Sequence, residues 1–250
     1  MEPEYLQTDS GRRIAYHRLE GEGPCVVFLG GFKSDMGGTK AMFLHDWATA
    51  RGRAFLRFDY SGHGQSSGRF EDGSIGDWAE DAMAAITELT SGKVVLVGSS
   101  MGGWIALLVA RAMPERIGGL VGIAAAPDFT EDSMWAGFDA EERRQLDRDG
   151  QITLPSDYDD SPYIITKRLI EDGRDQLVLR SPLPLPFPVR LLQGTEDADV
   201  DMSVALRLLE HASGGDIRLT LVKGADHRFS TREALRLIQT SIHSVTMAAS

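Results

Sequence analysis

Apolar positions along this chain follow two rhythms. Short, largely apolar runs recur at residues 25–29, 54–59, 93–97, 120–124, 189–192 and 217–222. Runs of that length suit strands buried on both faces. Between them the spacing becomes helical. Over 75–89, Ile75, Trp78, Ala82 and Ile86 share one side. Helices are also expected after Gly38 through Phe43 and Trp47, over 104–113 with Pro114 as the stop, near 201–212 and over 230–246. Residues 12–19 alternate in part and read as an antiparallel edge strand. Buried strands alternating with helices predict an α/β protein with a largely parallel sheet covered on both faces.

The rhythm breaks between residues 128 and 187, an interval too long for a simple connection. It opens with an acidic helical stretch at 131–147, followed by a hairpin at 150–158 and a helix at 163–172. Pro182, Pro184, Pro186 and Pro188 then force an extended return to the sheet. We read 128–187 as a small cap inserted over the strand ends, with a plain crossover as the alternative. At 250 residues the rest of the chain fits a single domain.

Composition narrows the function classes. A net charge of −11 argues against a nucleic-acid partner and leaves no basic patch for an anionic membrane. No apolar run approaches the roughly 20 residues that span a bilayer. Cys25 is the single cysteine, so no intrachain disulfide is expected. With an acidic N-terminus and no apolar h-region, this points to a reducing, cytoplasmic setting. No phosphate-binding, dinucleotide or zinc pattern is present, so neither cofactor nor metal is expected.

The chemistry concentrates at Val94-Val95-Leu96-Val97-Gly98-Ser99-Ser100-Met101-Gly102-Gly103-Trp104. An apolar strand, then G-x-S-x-G, then an apolar helix is the pattern of a nucleophile elbow, with Ser100 at the strained centre. A Gly/Ser-rich β–α loop is the bland alternative. A serine hydroxyl needs an adjacent base oriented by a carboxylate. Of six histidines, His227 follows the last strand after a short turn, on the same sheet edge as Ser100. The acid is expected after the strand at 189–192, where Glu196, Asp197, Asp199 and Asp201 crowd together. Asp197 is the choice and Asp199 the runner-up, which instead would cap the following helix. Met101 N–H, at the start of the elbow helix, and Phe32 N–H, after Gly30-Gly31, are the expected donors to a developing oxyanion. Met134, Trp135 and Phe138 offer apolar surface for an acyl chain, or else pack the cap onto the body. His63, in a polar glycine-rich loop, and the strand residue Cys25 read as structural.

The elbow, the acid turn and the late histidine resemble the α/β-hydrolase superfamily. Four segments are similar, more narrowly, to the abhydrolase domain-containing protein 10 family: Gly37-Gly38-Thr39-Lys40-Ala41, Arg57-Phe58-Asp59-Tyr60-Ser61-Gly62, the stretch from Val97 to Trp104, and Asp226-His227-Arg228. The resemblance implies an α/β-hydrolase fold with a mostly parallel, eight-stranded sheet. It implies Ser100, Asp197 and His227 as the triad, and an acyl-thioester, an acyl-glucuronide or an acylated protein as substrate. The expected activity is that of a serine esterase or thioesterase. A carbon–carbon bond hydrolase or lactonase with the same triad, or a receptor retaining the pocket, are the alternatives.

Overall fold

Two strands, β1 (Glu4–Gln7) and β2 (Arg13–Leu19), lead into β3 (Glu22–Leu29), α1 (Thr39–Arg51), β4 (Arg53–Phe58), α2 (Ile75–Leu89), β5 (Val94–Ser99), α3 (Met101–Ala112) and β6 (Ile117–Ile123). A long connection carries a π-helical turn (Thr130–Trp135), α4 (Ala140–Asp149), β7 (Gln151–Leu154), β8 (Tyr163–Thr166), α5 (Lys167–Asp175) and β9 (Leu183–Pro184). The chain closes with β10 (Val189–Gly194), α6 (Met202–His211), β11 (Ala212–Ser213), β12 (Ile217–Val222) and α7 (Arg232–Ala248). This computed structural model describes residues 2–154 and 162–248.

The central sheet has eight strands in the order β1-β2-β4-β3-β5-β6-β10-β12. β2 runs against both its neighbours, and every pairing from β4 to β12 is parallel. Successive strand side chains point to opposite faces, and both faces are covered. Val27, Leu29, Leu56 and Leu96 pack with Trp78 and Ile86 of α2 and Trp104 of α3. Val26, Phe28, Phe55, Val95 and Val97 pack with Leu44 of α1 and Ile238 and Ile242 of α7. Each fully buried aliphatic side chain contributes roughly 1.5–3 kcal/mol, which makes the sheet centre the rigid base for whatever its loops carry.

Several local expectations are corrected by partners distant in sequence. The strand over 12–19 is not the edge, because Glu4–Gln7 pairs outside it, with Glu4 opposite Tyr16. The acidic stretch over 131–147 is broken in two. Asp139 accepts from the Glu141 and Glu142 N–H groups, and Glu142 answers to the Asp139 N–H, a reciprocal cap that starts α4 afresh. A hairpin does follow Gly150, but the second arm is Tyr163–Thr166, inside the expected helix. Thr166 then caps α5, so that helix begins at Lys167. The rest of the hairpin expectation, at 155–158, lies outside the described residues. The proline-rich return is extended, and Leu183–Pro184 pairs in parallel with Ala212–Ser213.

Candidate active site

The turn from β5 to α3 is built around two glycines. A Cβ on Gly98 would sit 2.2 Å from the Gly102 carbonyl oxygen, and one on Gly102 would sit 2.0 Å from that of Leu29. Only glycine lets the strand, the helix and the neighbouring β3 approach this closely. Between them Ser100 has φ 56° and ψ −120°, a region that costs a non-glycine residue on the order of 1–3 kcal/mol. The surroundings hold it there. Ser100 N–H donates to Ile123 O at 2.9 Å, and Ser100 O accepts from Gly103 N at 2.8 Å and Ala126 N at 3.1 Å. The hydroxyl is thus presented at the carboxyl end of the sheet, where parallel α/β sheets place their ligands.

The loops after β10 and β12 are fastened to each other. Thr195 N–H donates to Val222 O, Glu196 N–H to Ala225 O, and Gly224 N–H to Thr195 Oγ1. Gly194 is needed because a Cβ there would meet Ala225 O at 2.1 Å. Beyond the turn, Phe229 is fully buried and its N–H donates to Asp226 Oδ1. Lys40 Nζ donates to Arg228 O; desolvation draws this ammonium down to about 8 despite Asp226 nearby. His227 is therefore held on both sides.

These two loops and the turn from β5 to α3 bring three of the expected residues together. His227 Nδ1 lies 2.9 and 3.0 Å from the Asp197 oxygens, and His227 Nε2 lies 3.1 Å from Ser100 Oγ. A carboxylate accepts only, so Nδ1 carries the proton and Nε2 is left to accept from the Ser100 hydroxyl. The Asp197 side chain is fully buried. Burial pushes its carboxyl up, but the hydrogen bond from His227 and those from Val200 N–H and Asp199 N–H, with the electrostatic attraction of His227, outweigh that and hold it below the usual carboxylate range. Gln193 Nε2 donates to the same carboxylate at 2.9 Å. Asp199 is exposed, and its N–H donates to Asp197. The cap of α6 is Asp201, not Asp199.

Ser100 and His227 open onto a cavity of about 1310 Å³. Gly31 passes close to the Ser100 Cβ, so the loop after β3 lies against the hydroxyl. Neither the Phe32 nor the Met101 N–H has a hydrogen-bond acceptor among the described residues. The Phe32 ring lines the cavity and meets Phe70, Phe129 and Tyr163 edge-on. The Met101 side chain is fully buried in the core and lines nothing. Of the three residues expected against an acyl chain, Met134 faces the cavity and the other two do not. Trp135 is flanked by the Arg143 and Arg174 guanidinium groups at 4.8 and 4.6 Å, and Phe138 is buried beneath it. Both pack the inserted segment. The sequence reading missed Phe70, Phe129 and Tyr163, which come from three separate segments with no shared spacing.

His63 also borders the cavity, but it is buried among Tyr60, Phe70 and Trp78, and burial lowers it to about 4. It stays neutral and structural. Cys25 is buried and its thiol is pushed up to about 12, which leaves it inert.

The profile of the family described as serine aminopeptidase, S33, matches residues 23–146. The mitochondrial palmitoyl-protein thioesterase ABHD10 of mouse is 34% identical over 235 residues, covering 94% of this chain and 79% of that protein. The chain belongs to the ABHD10 family of α/β-hydrolases. As a member it is a hydrolase. The crystal structure of a putative hydrolase from Agrobacterium vitis S4 superposes with a TM-score of 0.93 at 39% identity, over 98% of both chains. The mouse α/β-hydrolase domain-containing protein 10 superposes with a TM-score of 0.92 at 32% identity, over the full length of both. The expectation of a cytoplasmic protein is overturned here: the mouse, bovine and rat ABHD10 relatives are all named mitochondrial. A lone buried cysteine speaks to redox conditions and does not separate one reducing compartment from another. Among the described residues no helix is long and apolar enough to cross a membrane.

Proposed function

We propose that this protein is a serine hydrolase that cleaves carboxylic esters or thioesters through an acyl-enzyme. The observation that carries this reading is the unbroken chain from Asp197 through His227 to Ser100, 2.9 and 3.1 Å long in its two links, at the mouth of a large cavity. Ser100 Oγ attacks the substrate carbonyl carbon as its proton passes to His227 Nε2. The carbonyl oxygen gains negative charge and is received by the Phe32 and Met101 N–H groups. Asp197 stabilises the imidazolium and keeps its orientation. The tetrahedral species collapses, the bond to the leaving oxygen or sulfur breaks, and His227 returns its proton to that atom. Water then repeats the sequence on the acyl-Ser100 ester and releases the acid. No step calls on a metal or cofactor.

The segment 128–187 acts as a cap on this site. Phe129, Met134, Tyr163 and Leu179 from that span line the cavity together with Phe32 and Phe70 of the body. That apolar wall suits an acyl chain. The name of the ABHD10 relatives supports a thioester substrate, with acyl-glucuronides as the related oxygen ester and an acylated protein as one carrier of the thioester. Ser100→Ala is expected to lower turnover by about 10⁴- to 10⁶-fold while the protein stays folded. A fluorophosphonate probe labels the wild type at Ser100 alone. A hydrolysis panel of acyl-thioesters, acyl-glucuronides and p-nitrophenyl esters then ranks leaving groups. Labelling elsewhere, or an active Ser100→Ala protein, overturns the proposal.

A further inference from the structure

Gln193 is a polar residue near the carboxyl end of the strand next to the sheet's β12 edge. It lies on β10 and is completely buried. A buried amide in a strand must find partners, and this one finds them at the acid. Nε2 donates to Asp197 Oδ2 at 2.9 Å and to Val200 O at 3.0 Å. Both partners are acceptors, so the amide cannot be turned over without setting its oxygen against a carboxylate and a carbonyl. Oε1, on the far side, has no hydrogen-bond partner among the described residues. The side chain thus leaves its own acceptor unsatisfied while serving the carboxylate with its donor.

Asp197 accepts four kinds of donor. Val200 and Asp199 N–H bind Oδ1 at 2.8 and 3.0 Å. His227 Nδ1 lies between the two oxygens, 2.9 Å from Oδ2 and 3.0 Å from Oδ1, and Gln193 Nε2 donates to Oδ2 alone. The two backbone donors come from the acid's own loop and fix one oxygen. Oδ2 is fixed from outside that loop by Gln193 and by the imidazole it must orient. Without Gln193, rotation about the Asp197 Cβ–Cγ bond is opposed at Oδ2 only by His227 itself, and His227 must shift charge in each half-reaction.

We propose that Gln193 is a positioning residue: its side-chain amide clamps Oδ2 of Asp197 and so holds His227 in line with Ser100. This rests on the triad reading above. Because the clamp works on the reacting machinery and not on substrate, the loss on removing it falls on kcat and leaves KM nearly unchanged. It also acts only through Asp197.

The test uses Gln193→Met and Gln193→Glu in the full chain, each alone and Gln193→Met also combined with Asp197→Asn. Hydrolysis of p-nitrophenyl butyrate is followed from pH 5 to 9, with thermal melting of every variant. Gln193→Met is expected to lose about tenfold in kcat, with KM within twofold. On the Asp197→Asn background the same change costs less than twofold, since residues acting as one unit are not additive. Gln193→Glu is expected to keep most activity where its carboxyl is protonated and donates. It loses that activity as pH rises, on an alkaline limb absent from the wild type. If Gln193→Met does not fold, that limb decides the question. Wild-type kcat in Gln193→Met, an equal loss on the Asp197→Asn background, or a Gln193→Glu profile parallel to wild type each overturns the clamp. An active Asp197→Asn enzyme overturns the triad reading itself, so the two failures are distinguishable.

Discussion

The carboxyl ends of β5, β10 and β12 and the segment between β6 and β10 meet at one cavity, yet they are held by different forces. At the strand ends the loops are fastened mainly through the backbone. Ser100, Thr195 and Glu196 each donate a main-chain N–H to a main-chain oxygen on a neighbouring element. Across the cavity the fastenings are largely charged side chains. Asp128 is fully buried and accepts from Val178 N, Leu179 N and Arg180. Asp132 pairs with Arg180 and reaches Arg207 on α6 at 2.7 Å. Arg174 pairs with Glu131 at 2.7 Å. Backbone bonds in a sheet are shielded and geometrically strict. Apart from the pair made by buried Asp128, these part-exposed ion pairs are worth about 1 kcal/mol or less each and weaken with salt. On the proposed reading the reacting atoms therefore sit on the strict side, and the wall offered to an acyl chain sits on the adjustable side.

The largest effect is expected where this contrast is broken at the strict side. Asp197→Asn removes the acceptor that sets the His227 tautomer, and kcat/KM is expected to fall by about 10³- to 10⁴-fold. Asp199→Asn, one turn away and exposed, stays within a few-fold of wild type. Parallel steady-state kinetics give the ranking, and a reversed order assigns the acid to Asp199. In both the wild type and Asp199→Asn, kcat/KM is expected to fall on the acid side, because His227 must be neutral to accept the serine proton.

Next in size is a stability effect from His63. It titrates at about 4 in the folded protein against 6.5 for the ordinary group. Its folded value is depressed, so its contribution is whole above pH 6.5 and is lost as pH falls toward 4. At that limit the loss is about 3 kcal/mol. Urea unfolding at pH 7 and 4.5 is expected to show a smaller drop in His63→Phe than in wild type. Equal drops would place the acid sensitivity elsewhere.

The adjustable wall gives smaller effects. Each methylene buried against it contributes about 0.8 kcal/mol, up to roughly fourfold in kcat/KM along a chain-length series. Activity is expected to rise from acetyl toward medium-chain esters. Met134→Ala flattens this slope, costing about tenfold on octanoyl and little on acetyl. Trp135→Ala leaves the slope unchanged and lowers the melting temperature, since its ring lies between two guanidinium groups and not in the cavity. The same slope in Met134→Ala as in wild type would remove that residue from the acyl site.

The smallest effect belongs to Asp132. Hydrogen bonds from Arg180 hold its carboxyl below the usual range against its partial burial, with Arg207 adding to the pull. Asp132→Asn is expected to cost about 1 kcal/mol of stability at low salt and less at 1 M salt. A salt-independent loss would show that packing, and not charge, fastens this wall.

Local sequence determined the elbow and the helix over Ile75–Leu89, whose ends match the apolar spacing from Ile75 to Leu89. Both are short-range: periodicity selects the helix, and two glycines around a serine permit one sharp turn. The sheet's parallel character was legible from buried strands alternating with helices, and the order of serine, acid and histidine was expected from the fold class that the elbow implies, not from local spacing. Other features depended on partners far along the chain. Among the four carboxylates after β10 the sequence favoured Asp197 over Asp199 on its distance from Gly194, but the contact with His227 Nδ1 exists only in the folded chain. Residues 4–7 carry no strand periodicity and become an edge strand by pairing with β2. Tyr163–Thr166 has the spacing of a helix start, but pairing with Gln151–Leu154 makes it a strand. Met134 and Trp135 are adjacent and alike in character, and which one meets the cavity was decided when Arg143 and Arg174 closed around the tryptophan. Spacing encodes what a segment can do by itself. Which of its side chains reaches the site is a property of contacts between segments, and those form only in the folded chain.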